Sequence, residues 1–220
     1  MSKNEITRND IIGIIKSIYK KIDDNKEYLS ELDTEIGDGD HGTSMARGFK
    51  SLYDKLEELS GMDIGSILRK AGFELIKTIG GSAGAVFGTL FTGQASYYDK
   101  KLKGKETLTL EDITFMMEEA LQQIKKRGNA VPGDKTMIDA LEPAVDALKE
   151  AVDENTDIIH AFRNAAEKSK EGAEKTREMI GKHGRSKYLG ERGKGFIDPG
   201  AVSTSLIFQS ISEYLSGGQN

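Results

Sequence analysis

Three aspartates crowd into eight residues in the stretch Leu32-Asp33-Thr34-Glu35-Ile36-Gly37-Asp38-Gly39-Asp40-His41-Gly42. Like charges set so closely repel one another, and a hard divalent cation is the group that neutralises them. Gly37, Gly39 and Gly42 give the backbone the freedom to fold round such an ion. A solvated acidic turn is the alternative, and the third aspartate and the flanking glycines weigh against it. Two other patterns fit this loop in spelling only. Gly37-x-Gly39-x-x-Gly42 matches a dinucleotide fingerprint, but a helical stretch precedes it where that fold requires a strand, and its aspartates would repel a bare pyrophosphate. The EF-hand spacing fails because Gly42 stands where the third ligand belongs.

Three more segments carry residue types suited to phosphate. Gly80-Gly81-Ser82-Ala83-Gly84 precedes an apolar helix, so free N–H groups, a hydroxyl and no bulk meet at a helix start; a tight packing turn would use glycine equally well. Gly128-Asn129-Ala130-Val131-Pro132-Gly133-Asp134-Lys135-Thr136 is one insertion away from a P-loop, which the helix before it argues against. Lys135 and Thr136 remain open to two readings, a phosphate-binding turn or an ordinary helix cap. The run from His183 to Gly200 is long for a connector in a helical domain, and Arg185, Lys187, Arg192 and Lys194 suit a polyphosphate. A mobile basic loop is the alternative there, against which Tyr188, Leu189, Phe196 and Ile197 argue for order. His160 and His183 have no paired ligand spacing and read as structural or surface residues.

The elements between these loops are helical. Ile11, Ile12, Ile14, Ile15, Ile18, Tyr19 and Ile22 keep helical spacing, with Asn9 or Asp10 as the expected N-cap. A short helix leads through Tyr28 and Leu32 into Asp33. Further helices are expected over 45–59, over 64–79 with Asp63 as cap, and over 86–98 as a central buried helix. Thr109 and Asp112 form a capping box for a helix through Ile124, and three more helices follow over about 137–152, 157–180 and 201–215. No alternating strand of five or more residues is found. The expectation is an all-α closed bundle of about eight mainly antiparallel helices, with residues 1–220 as a single domain.

Composition narrows the function. There are no cysteines, which excludes disulfides, thiol catalysis and Cys-ligated metal. A net charge of -5 weighs against nucleic acid as a partner. No run reaches the roughly 18 apolar residues of a membrane span, and the N-terminus lacks a signal-like apolar region, so a cytoplasmic protein with no membrane partner is expected.

Four motifs then occur in order: L-D-x-E-I-G-D-G-D-H-G-x-x-M-x-R-G-F, G-G-x-x-G-x-x-F-G-T, P-G-D-K-T-M-x-D and G-R-x-x-Y-L-G-E-R-x-x-G-x-x-D-P-G-A. Over about residues 5 to 215 the chain resembles the nucleotide-binding L subunits of dihydroxyacetone kinase. The resemblance implies an eight-helix barrel with ADP or ATP at one end, held through two Mg²⁺ ions by Asp33, Asp38 and Asp40. It implies that His41, Gly42, Thr43, Ser44, Ser82 and Ala83 line the phosphates. Gly128, Met137, Arg185, Asp198, Pro199 and Gly200 would contact the nucleotide, and Arg185 would join the three aspartates in catalysis. One departure is visible: the family usually reads G-G-A-S-G where this chain has Gly81-Ser82-Ala83-Gly84, which moves the hydroxyl by one position.

The resemblance further implies a phosphotransferase subunit that works only with partners. A separate K subunit would hold dihydroxyacetone, and an M-type phosphohistidine protein of the sugar phosphotransferase system would rephosphorylate bound ADP. Two other roles are compatible with the same motifs: a nucleotide-loaded module that regulates a transcription factor, and an ATP-dependent kinase subunit for a related ketose.

Overall fold

The computed structural model describes residues 4–217. Strand β1 (Glu5–Thr7) pairs antiparallel with β2 (Thr107–Thr109), Ile6 opposite Leu108, and each strand runs straight into a helix. The junctions share one local grammar. Thr7 Oγ accepts the Asp10 N–H at 3.2 Å while the Thr7 N–H donates to the Asp10 carboxylate at 2.8 Å, opening α1 (Arg8–Asp24). Thr109 and Asp112 repeat this reciprocal pairing at 3.2 and 3.0 Å to open α7 (Leu110–Gly128). The capping residue of α1 is therefore Thr7, where Asn9 or Asp10 was expected. Asp10 is instead the third helical residue that completes the box.

Between them lie α2 (Lys26–Ile36), α3 (His41–Asp54), the single turn α4 (Leu56–Leu59), α5 (Ile64–Ile79) and α6 (Gly81–Tyr97), which passes into a π-helical turn at Tyr98–Leu102. The chain continues through α8 (Ile138–Asp153), α9 (Ile158–Lys175) and α10 (Pro199–Leu215). Some ends differ from the periodicity. α6 starts at Gly81, because glycines continue a helix that apolar spacing alone would begin at Val86. α9 stops at Lys175 and tightens into a 3₁₀ turn at Thr176–Glu178, and α10 starts at Pro199 behind the Asp198 cap.

Eight of these helices close a ring in the order α1, α3, α5, α6, α7, α8, α9, α10 and back to α1, with α2 lying against α3 and α10. One continuous core runs from Ile6 to Leu215, with Phe49, Phe87, Phe162 and Phe208 fully enclosed. The expected all-α closed bundle is what forms, and its sheet is no more than the strand pair.

The α5–α6 contact is set by glycine. A Cβ on Gly72 would lie 2.5 Å from the Gly88 carbonyl oxygen, and one on Gly88 would lie 2.6 Å from that of Gly72. The two backbones touch, and neither has a flexible end to move aside. Gly72→Val should lower stability in urea by about 1–3 kcal/mol or more, the usual cost of overpacking. Gly61→Val faces open space and should change stability by less than about 0.5 kcal/mol; equal effects would mean that the close approach is dispensable.

Candidate functional site

Because the ring alternates in direction, α3, α6, α8 and α10 all begin at the end where α7 finishes. A cavity of about 470 Å³ opens there. Asp33, Asp38, Asp40 and His41 form one wall, and Ser82, Ala83, Val86 and Phe87 from the first turns of α6 form another. Gly128, Ala130, Met137 and Ile138 close a third side, and Arg185 with Asp198, Pro199 and Gly200 the fourth.

The acidic wall is held by its own backbone. The Asp33 carboxylate accepts N–H bonds from Asp40 at 3.0 Å and His41 at 3.2 Å, which draws the loop back over the end of α2. A Cβ on Gly37 would sit 2.0 Å from Asp33 Oδ1, so a larger residue there would push this carboxylate off its present bonds. One oxygen from each of Asp33, Asp38 and Asp40 lies within 4.8 Å of the others, the one such group of metal-type ligands found among the described residues. Asp38 and Asp40 are exposed, and the Arg185 guanidinium meets Asp38 at 2.5 Å. Three hard oxygen donors at this spacing fit Mg²⁺ or Ca²⁺. His41 is buried, its Nε2 2.8 Å from Ser203 Oγ; burial pushes its pKa down while Asp33 and Asp40 act the other way.

The four helix starts differ in how they are capped. Asp198 caps α10 through the Ala201 N–H at 2.8 Å, and burial pushes this carboxyl up to about 7 against the pull of Ala201 and Lys135. At α8 the Thr136 hydroxyl accepts the Ile138 N–H at 3.2 Å, while Asp139, inside the helix, takes the N–H groups of Gly133 at 2.5 Å and Thr136 at 2.8 Å from the loop before it. Asp33 serves α3. At α6 no side chain caps, and Gly80 and Gly81 have φ of 77° and 56°, which suits glycine. Uncapped amides and the positive end of the helix dipole suit this start to an anion.

In the Gly133–Thr136 segment Thr136 is the ordinary helix cap, its hydroxyl accepting the Ile138 N–H, while Lys135 fits neither reading. Lys135 is 1% exposed, with φ of 61°, and its ammonium donates to the carbonyls of Thr176 at 2.6 Å and Phe196 at 2.5 Å. Its charge is committed to backbone, so the phosphate-binding turn is corrected to a structural tie. Asp134, 4% exposed, accepts the Val131 N–H at 2.9 Å, meets His183 Nε2 at 2.9 Å and pairs with Lys182 at 2.8 Å.

Most of the expected residues share this cavity: Asp33, Asp38, Asp40, His41, Ser82, Ala83, Gly128, Met137, Arg185, Asp198, Pro199 and Gly200. Gly42, Thr43 and Ser44 do not border it. Gly42 backs onto the Lys26 carbonyl oxygen, only 1.9 Å from where a Cβ would stand, and Ser44 is buried beside Arg47. Sequence reasoning missed the apolar wall. Val86 and Phe87 lie four residues after Ser82 and Ala83, one turn further along the same face, so helical spacing could have found them. It also missed His183 as a lining residue; His160 is at the surface on Asp157 as expected.

Residues 35–213 match the DAK2 domain, and the chain belongs to that family. It is 35% identical over 207 residues to the PEP-dependent dihydroxyacetone kinase, ADP-binding subunit DhaL, of Escherichia coli K12, covering 94% of this chain and 97% of the relative. To the corresponding subunit of kinase 1 of Listeria innocua serovar 6a it is 36% identical, covering 87% and 89%. The crystal structure of the dihydroxyacetone kinase of C. freundii in its native form superposes with a TM-score of 0.72 at 25% identity, covering 92% of this chain but 34% of that one. The resemblance read from the four motifs is thereby borne out.

The acid loop's neighbour Asp134 yields a stability test. Burial acts to raise its pKa, but bonds from Lys182, Val131 and His183 outweigh this and hold it at about 2, below the ordinary carboxylate value of 3.8. A depressed carboxylate stabilises the fold above its unfolded pKa, so Asp134 should contribute roughly 2 kcal/mol at neutral pH, lost between about pH 4 and pH 2. Asp134→Asn should therefore be less stable in urea near pH 7, with the gap to wild type closing in acid. A gap that stays constant down to about pH 2 would show that the charge contributes nothing.

Proposed function

We propose that this chain is the nucleotide-binding phosphotransferase subunit of a dihydroxyacetone kinase, passing phosphate from a Mg²⁺-bound nucleotide to dihydroxyacetone held on a separate K-type subunit. The observation that carries this reading is the meeting of an uncapped helix start with a three-aspartate cluster across one cavity. The names of the full-length relatives support it. Their dependence on PEP favours bound ADP that is rephosphorylated by an M-type phosphohistidine protein. The reading implies one domain acting in the cytoplasm. For the described residues, no helix is long and apolar enough to cross a membrane.

On this reading Asp33, Asp38 and Asp40 would hold the metal, with two ions as the proposed number. Bound Mg²⁺ supplies charge neutralisation along the phosphates and orients the transferred group. The amides at Ser82 and Ala83 bind phosphate oxygens. Val86, Phe87, Ile124 and Met137 exclude water and flank the base, while Gly128 and Asp198–Gly200 border the nucleoside. Arg185, reaching over the acidic loop, places a planar guanidinium where phosphate charge collects. The chain's part in catalysis is thus positioning and charge, with the ketose supplied by the partner.

ADP binding should depend on magnesium. ADP with Mg²⁺ should raise the melting temperature, and ADP with excess chelator should not; equal shifts would remove the metal assignment. Asp38→Ala should lose nucleotide retention while its helical circular dichroism stays intact. The isolated chain should form no dihydroxyacetone phosphate from ATP until a K-type subunit is added, and turnover by the chain alone would defeat the division of labour.

A further inference from the structure

Asp134 and Lys135 are adjacent, both buried, and grip opposite ends of the same loop. At its start, the Lys182 N–H donates to the Asp134 carbonyl at 3.1 Å, and Asp134 also holds the side chains of Lys182 and His183. At its finish, the Lys135 ammonium bonds the Phe196 carbonyl and, behind it, that of Thr176. Arg177 adds a second tie at that end, donating to the Gly195 carbonyl at 2.7 Å and accepting the Gly195 N–H at 2.8 Å. Between the two grips, the hydrogen bonds and ion pairs found for 184–194 stay within the loop, apart from Arg185 on Asp38.

Between its ends, only Ser186 and Gly193 of residues 184–194 are buried, so most of the order of this loop comes from its two grips. Tyr188, at its middle, is 74% exposed. The price of the Lys135 grip is visible in its left-handed backbone, a conformation that lysine rarely adopts and that persists only where surrounding structure enforces it. We propose that Lys135, backed by Arg177, is the positioning residue for Arg185: it fixes the far end of the 182–196 loop and so holds the guanidinium over the acidic loop without itself touching the nucleotide. This rests on the reading of Arg185 as a nucleotide contact.

A double-mutant cycle separates the two ideas. Calorimetry would measure the affinity for ADP with Mg²⁺ in wild type, Arg185→Ala, Lys135→Met and the double variant. Arg185→Ala should weaken binding by about tenfold or more, as for loss of one charged hydrogen bond. Lys135→Met keeps the length of the side chain and removes its donors; it should weaken binding comparably, and the double variant should be within about twofold of Arg185→Ala alone, because the two losses are one loss. Additive losses would mean that Lys135 acts on the ligand independently and would overturn the proposal. Unchanged affinity in Lys135→Met with a lowered melting temperature would overturn it too, leaving Lys135 as packing only. If Arg185→Ala itself binds normally, the nucleotide contact fails; hydrogen exchange over 184–194, expected to speed up in Lys135→Met, then reports whether the loop was gripped at all. Should Lys135→Met not fold, Arg177→Ala takes its place in the cycle, with a several-fold loss expected that disappears in the Arg185→Ala background. An additive loss there would again overturn the proposal.

Discussion

A closed ring of antiparallel helices with an even number of members must gather half of its N-termini at one end. Here those are the starts of α3, α6, α8 and α10. Each carries unpaired amides and a partial positive charge, and burying four such ends together costs free energy unless acceptors meet them. Two are met by the protein's own carboxylates, Asp33 at α3 and Asp198 at α10, and at a third, α8, the Thr136 hydroxyl takes the Ile138 N–H. The fourth, α6, has no side-chain cap. The site follows from this inequality. An end left open where three are capped suits an anion, and the proposed function places phosphate there.

The acidic loop complements that open end. Asp33 does two things with one side chain: one oxygen takes the amides that start α3, and the carboxylate remains within reach of Asp38 and Asp40. The backbone bonds orient it, and the absence of a Cβ on Gly37 gives it room. Positive helix ends and negative carboxylates then face each other across the cavity, an arrangement suited to a ligand that is itself anionic and carries cations. On the proposed reading the nucleotide phosphates lie against the amides and Mg²⁺ lies against the aspartates, so neither charge is left uncompensated.

Much of this was legible in the sequence where the determinants are local. The aspartates and their glycines are contiguous, and the Thr109–Asp112 box and the Asp63 cap depend on residues three apart; each appears in the structure as read. Thr7 was missed although it uses the same grammar as Thr109, because two polar candidates, Asn9 and Asp10, stood nearer the first apolar-periodic residue, Ile11. The apolar wall of Val86 and Phe87 lies one turn beyond Ser82 and Ala83 and was passed over because the helix is apolar on most sides and hydrophobicity alone singles out no face. His183 could not be placed from sequence because its partner, Asp134, lies 49 residues away.

Lys135 is the instructive failure. A glycine, an acid, a lysine and a threonine at the start of a helix have the composition of a phosphate turn, and composition cannot say which way an ammonium points. Its direction is set by backbone at 61° in φ and by two carbonyls from distant segments, Thr176 and Phe196. With Lys135 spent inside the protein, the cation left over the acidic loop is Arg185, which stands on a segment that Lys135 secures. A fixed lysine aimed at phosphate would give the site a permanent charge. A guanidinium on a loop gripped at its ends gives it a charge whose placement depends on those grips, so on the proposed reading Lys135, itself at the cavity wall, and Asp134 bear on binding through Arg185.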